Sequence, residues 1–226
     1  RYTKSLLIMF PYPFSFLTIS ETGLGQVANN YSMEFDGVDS YTRTGGFTLG
    51  ASFTFSCWIN TSVIPSNRII ISSPNYHPSS GTFPGNFLLR IVNATSIDFR
   101  SYNTTADSEV IAATVPTITT GGTWHHIVLT NDGVTAKFYH NGSPLTTTGV
   151  NTKTLDDLTN GLDIGIESTG GHGNNPWSGY LDEIAVWNTA LSASDVLAIY
   201  DATDTNLTAD LSSMSTQPLV WYRMGD

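Results

Sequence analysis

From Tyr31 onward the chain is written in short runs whose side chains alternate between apolar and polar, separated by turn-forming residues. A period of two suits a pleated strand with one face on a core, whereas a helix needs apolar residues three or four apart. In "YSMEFDG", Met33 and Phe35 share a face. In "SFTFSCWINT", Phe53, Phe55, Cys57 and Ile59 share one face and Trp58 lies on the other. "NFLLRIVN", "SIDFRSYN", "WHHIVLTND", "AKFYHNGSPL" and "LDIGIES" follow, the last alternating Leu162, Ile164 and Ile166. Asn141-Gly142 predicts a tight hairpin, since both residues tolerate positive φ. Many short strands, with no internal repeat, predict an all-β chain folded as a two-sheet antiparallel sandwich or jelly roll.

Composition agrees. Only 12 % of residues are charged, and Ser, Thr, Asn and Gly fill the polar positions, which suits strand faces and turns better than helix surfaces. A net charge of −10 repels phosphate backbones, so nucleic acid is not an expected partner. The lone Cys57 sits at an inward position without basic neighbours and reads as a small core residue.

One segment changes character along its length. "GYLDEIAVWN" alternates Leu181, Glu183, Ala185 and Trp187 against Tyr180, Asp182, Ile184 and Val186. The strand reading stops at Asn188. Ser192 followed three residues later by Asp195 predicts a capping box, opening a short helix that ends near Tyr200 and lays Val196, Leu197, Ile199 and Tyr200 on the sandwich.

Ahead of the sandwich, "KSLLIMFPYPFSFLTI" is the most apolar stretch, but Pro11 and Pro13 interrupt it well short of the ~20 residues that span a bilayer, so membrane insertion is not expected. It predicts an extended arm. Alternation exposes both faces of such an arm, so either Leu6, Ile8 and Phe10, or Leu7, Met9 with Phe14 and Phe16, are expected to bury themselves on a neighbouring subunit or an adjoining domain; burial on the arm's own domain is the alternative. The organisation expected is residues 1–29 as arm, 30–203 as jelly roll and 204–226 as a C-terminal extension or the start of a further unit.

The succession "SMEFDGVDSY", "FTFSCWIN", "TWHHIVLTNDG", "AKFYHNGSPL", "LDIGI" and "WSGYLDEIAVWNTALSASDV" resembles the laminin G-like and pentraxin-like branch of the concanavalin A-like lectin superfamily, over about residues 30–200. The resemblance implies that the first strand, near Phe35, lies beside the last, near Ile184. It also implies a structural calcium close by, for which Asp36, Asp39 and Asp182 are the candidate ligands; oxygen-rich loops with carboxylates suit that ion. The alternative is an ordinary polar turn at "DGVD" and a solvated Asp182. Where pentraxins carry an acid–amide–acid cluster, this chain has Glu167-Ser168-Thr169, so a pentraxin-type calcium-dependent ligand site is not expected. The short acid-x-acid-x-x-acid strand motif of the superfamily's glycosidases is absent, and an enzyme is not expected. Chains of this style resemble bacteriophage structural proteins and bacterial surface proteins, which implies an extracellular or virion-surface location and other protein subunits as partners.

The residues themselves suggest a glycan site in two loops. "STGGHGNNPWSG" offers Trp177 with Asn174 and Asn175, and "SSPNYHPSSGTFPGN" offers Tyr76; an aromatic face stacks on a pyranose and amides bind its hydroxyls. The alternative for Trp177 is an anchor on the core. His125 and His126 are adjacent on a strand and point to opposite faces, so they cannot chelate one ion. Asn-x-Ser/Thr triplets occur at Asn30, Asn60, Asn93, Asn103, Asn141 and Asn206. Two functional readings therefore stand: an interaction and assembly module without catalysis, and a carbohydrate-binding adhesion domain.

Overall fold

The computed structural model describes residues 5–8, 17–20, 23–61, 63, 66–74, 86–104, 107–118, 122–155, 158, 160–169, 172–203 and 206–224. The strands in chain order are β1 (Ser5–Ile8), β2 (Leu17–Ser20), β3 (Gln26–Ala28), β4 (Met33–Asp36), β5 (Thr42–Arg43), β6 (Phe53–Thr61) and β7 (Arg68–Ser72). Next come β8 (Asn86–Asn93), β9 (Ser96–Thr104), β10 (Asp107–Thr114), β11 (His125–Asn131), β12 (Ala136–His140), β13 (Ser143–Pro144) and β14 (Thr147–Thr148). The last are β15 (Asp163–Ile164), β16 (Glu167–Thr169), β17 (His172–Asn174), β18 (Ser178–Trp187), β19 (Leu207–Ala209) and β20 (Val220–Tyr222), with the helix α1 (Ala193–Asp201) between β18 and β19.

Two seven-stranded antiparallel sheets make the sandwich. The first runs β13-β12-β11-β6-β18-β20, with β4 sharing the β18 edge; the second runs β14-β10-β9-β8-β7-β15-β5. Between them lie the inward residues expected from alternation, Phe35, Phe53, Phe55, Cys57, Ile59, Leu162 and Ile164 among them, all nearly inaccessible. Phe53 and Phe55 from one sheet meet Phe87 and Phe99 from the other with ring centroids 5.3–6.0 Å apart. Such tilted contacts add roughly 0.5–1.5 kcal/mol per pair beyond area burial. Burial pushes the Cys57 thiol up to about 12, as fits a core residue.

The turn chemistry is as expected at Asn141-Gly142. Both residues have positive φ, 49° and 73°, and β12 pairs β13 directly across them. Gly165 is a second forced glycine: its φ is +86° and an added Cβ would sit 2.5 Å from the Phe35 ring. The carbonyl there accepts from the Trp177 backbone N–H at 2.7 Å, which seats Trp177 fully in the core.

The first and last strands are neighbours, as the resemblance implied: Phe35 of β4 faces Gly179 of β18. Three expectations need correction. Strict alternation fails in β18, because the ladder to β6 slips between Asp182 and Ala185, and Glu183 takes a left-handed φ of 50°. Without this bulge Glu183 would share the core face of Leu181; with it, Ile184 and Val186 turn inward and Ala185 and Trp187 turn out under α1. Residues 204–226 are no separate extension either. Within them β20 completes the upper β18 edge, with Ala185 opposite Trp221, and β19 pairs β3, with Thr208 opposite Val27. Finally, β1 and β2 pair with each other, Leu6 opposite Ile19, where one continuous extended arm was expected. The side chains of Leu6 and Ile8, and all of Phe10, Phe14 and Phe16, lie outside the described residues.

Candidate glycan-binding cleft

The outer face of the first sheet is only half covered. Val128, Ala185 and Trp187 lie under Val196 and Ile199 of α1. The helix starts where the capping box placed it: the Ser192 hydroxyl accepts from the Asp195 N–H at 3.2 Å, and the Asp195 carboxylate accepts from the Ser192 N–H at 3.1 Å. Its last turn ends above Trp58. Beyond that point the same face carries two cross-strand rows in which Trp58, Trp124 and Tyr180 are half-buried and His126, Asn60 and Asp182 are buried beneath them. One row is His126, Trp58 and Asp182; the other pairs Asn60 with Tyr180, beside Trp124, which directly precedes β11.

These rows floor a cleft of about 420 Å³, lined by Trp58, Trp124 and Asp182 below and by Asn29–Ser32, Thr203, Asn206 and Leu207 around it. Its walls are tied to its floor. The Asn29 N–H donates to the Asn206 carbonyl at 2.9 Å, extending the β3–β19 ladder. The Asn29 amide donates to Asp182 Oδ2 at 3.1 Å, while Asp182 Oδ1 accepts from the Glu183 N–H at 2.8 Å. Trp58 is held in place by near-parallel stacking on His126, at 4.9 Å, and on Tyr200, at 5.9 Å between ring centroids. His126 Nε2 lies 2.8 Å from the Ser56 hydroxyl, and burial, with the nearby His140, drives its pKa down to about 3. Trp124 stands 6.5 Å from the Tyr180 ring, and Tyr31 is 64 % exposed at the rim.

Beside the cleft, Glu183 explains the second acid of the Asp-Glu pair. Its Oε2 accepts from the Trp221 indole at 2.5 Å, and Arg223 Nε stands 3.5 Å from Oε1. Burial first, and then the charge of Asp182, push its carboxyl up to about 7 against the opposing pull of Trp221 and Arg223. This acid fastens β20 and does not line the cleft.

The sites expected from the sequence are dispersed. Asp36 lies opposite Ser178, four residues along β18 from Asp182, or ~13 Å at the rise of a strand. One Asp36 oxygen accepts from the backbone N–H groups of Val38, Asp39 and Ser40, and that turn lowers its pKa, the Val38 bond first. Asp36, Asp39 and Asp182 therefore do not form one cation site, and among the described residues no three His, Cys, Asp or Glu converge on a metal position. Trp177 is fully buried and has no face to offer a sugar, so its place in a ligand site is withdrawn. Asn174 is exposed, Asn175 donates to Glu167 Oε2 at 3.0 Å, and Tyr76 lies outside the described residues. His125 and His126 do point apart: His125 stacks inward on His140, Nδ1 to Nε2 2.9 Å. Trp58 and Trp124 were missed as site residues. The signal was available in Trp58, a large aromatic out of phase with the core residues of its own strand.

Solved structures share this architecture. One is the CBM40 module of Ruminococcus gnavus IT-sialidase bound to α2,3-sialyllactose, 17 % identical, TM-score 0.57, over 79 % of this chain and 99 % of that one. The heptameric SAP-like pentraxin of Limulus polyphemus is 17 % identical, TM-score 0.55, over 85 % and 94 %. The binding domain of botulinum neurotoxin serotype G is 14 % identical, TM-score 0.55, over 81 % and 48 %. At such identities the likeness is one of fold. No curated protein matches the sequence. The family model for concanavalin A-like lectins and glucanases, however, matches residues 36–197, the stretch that runs from the Asp36 turn into α1, and by that match the chain belongs to the concanavalin A-like lectin/glucanase superfamily.

Proposed function

We propose that this chain is a non-catalytic carbohydrate-binding module of an extracellular or surface-exposed protein, and that the glycan sits in the cleft over Trp58 and Trp124. The observation that carries this reading is the pair of half-exposed indoles lining one cleft on the sheet face that α1 only partly covers, with neutral amides and hydroxyls of Asn29, Asn30, Ser32 and Asn206 around them. Aromatic faces take the apolar face of a sugar ring, and amides serve its hydroxyls in either direction. The fold similarity to carbohydrate-binding modules supports the reading. Glycoside hydrolysis needs two carboxylates flanking one bond, and Asp182 is the one acid among the described residues lining the cleft. A glycan array followed by calorimetry tests it. Trp124→Ala, which leaves the Trp58 stack intact, and Trp58→Ala are each expected to weaken the hits at least tenfold with unchanged circular dichroism. Hits that survive both substitutions place the site elsewhere.

An assembly role, in a virion or a surface structure, is the second reading. It is favoured by the β1–β2 ladder, which joins neither seven-stranded sheet. Two strands alone are marginal in water and gain from a partner. Deleting residues 1–22 is expected to leave glycan binding intact and to abolish self-association in light scattering; an unchanged mass would remove this role.

A further inference from the structure

Resting on the proposed glycan cleft, we infer that the cleft selects neutral hexose-containing glycans and discriminates against acidic ones such as sialosides. Among the described residues the lining holds one carboxylate, Asp182, and no Lys, Arg or His. Asp182 is 4 % exposed and sits at the floor between Trp58 and the Asn29 wall. On the same face, Glu34 of β4 lies opposite Tyr180 and adds a second acid next to the aromatic row. The Arg223 guanidinium is held by the Ala28 carbonyl and Glu183 and lines a different cavity. Two more guanidiniums, Arg90 and Arg100, sit on the opposite sheet around Asp98.

The chemistry then separates the two ligand classes. A carboxylate accepts hydrogen bonds from sugar hydroxyls, and a neutral hexose supplies several. A sialic acid or a uronic acid brings its own carboxylate. Within the cleft, where no described lining residue is a cation, that group meets the charge of Asp182 and gains no opposite charge to offset it. A fold shared with a module seen holding sialyllactose therefore does not carry that specificity to this chain.

Matched pairs on the array test this: each neutral oligosaccharide beside the same oligosaccharide capped with α2,3- or α2,6-linked sialic acid, read with wild type, Trp124→Ala and Asp182→Asn. The expected result is binding of neutral members that Trp124→Ala abolishes, at least tenfold weaker binding of any counterpart whose sialic acid must enter the cleft, and a gap that narrows severalfold in Asp182→Asn. A purely structural role for Asp182 would weaken both members alike and leave the gap unchanged, which would overturn the assignment. So would sialylated members that bind as tightly as their neutral counterparts and lose binding in Trp124→Ala. In that case the cleft would stand as a glycan site and only its selectivity would fall. If Trp124→Ala changes no hit, the cleft reading fails and this inference fails with it.

Discussion

Two adjacent acids on one strand have opposite tasks because a single residue between core and helix takes a left-handed φ. Asp182 faces the cleft; Glu183 turns to the C-terminal strand. A non-glycine residue in that conformation costs about 1–3 kcal/mol, offset here by bonds from both flanks. The sequence displayed the two acids but not their separation, since a bulge leaves no mark in a run that still alternates on paper. The consequence is measurable. With its folded pKa near 7 against 4.5 when free, Glu183 binds a proton more tightly in the native state. Stability from this group is present below about pH 4.5 and is lost as pH rises through 7. Glu183→Gln keeps an acceptor for Trp221 and removes the titration. Denaturant titrations should show the variant gaining on wild type by up to about 3 kcal/mol between pH 5 and pH 8, at ~1.4 kcal/mol per unit. A constant difference across that range would mean that Glu183 is solvated.

At the scale of elements, local chemistry decided what was legible. The Ser192 cap, the Asn141-Gly142 turn and the inward phase of β6 each follow from two to seven consecutive residues, and each was readable. Ser192→Ala should lower stability by about 1 kcal/mol, measured as a shift in denaturant midpoint at constant slope. An unchanged midpoint would show that packing of Val196 and Ile199 alone holds α1. Elements whose partner lies far along the chain were not readable. β20 is three residues with no strong pattern, and only its pairing with Ile184–Val186 makes it a strand. Truncation after residue 203 should therefore expose the upper edge of β18, leave Glu183 without Trp221 and Arg223, and yield a less stable protein prone to edge-to-edge association. A truncated chain with wild-type melting and monomeric mass would contradict this.

Over the whole molecule the buried imidazoles outweigh the buried acid at low pH. Desolvation holds His126 near 3 and His140 near 4, against 6.5 when free. Below about pH 6.5 the unfolded chain takes up two protons that the native one refuses, so this stability is present above pH 6.5 and is lost as pH falls toward 3–4. Glu183 opposes this with a single proton. The melting temperature should therefore fall from pH 6.5 to pH 4.5, and His126→Phe, which keeps a ring beside Trp58 and Tyr200, should flatten part of the fall. A profile unchanged in the variant would place the titration elsewhere. The cleft belongs to this scale too. Its walls come from residues 29–32 and from Thr203, Asn206 and Leu207, more than 170 positions apart in the chain, which is why loop composition alone pointed to Trp177 and Tyr76 instead.

Two of the six Asn-x-Ser/Thr triplets, at Asn30 and Asn206, stand on those same walls. A copy secreted through a host that attaches glycans to such triplets would carry branched sugar on the rim of its own cleft. The chain would then be capped by its own decoration, and its binding would depend on the cell that made it as much as on the residues beneath.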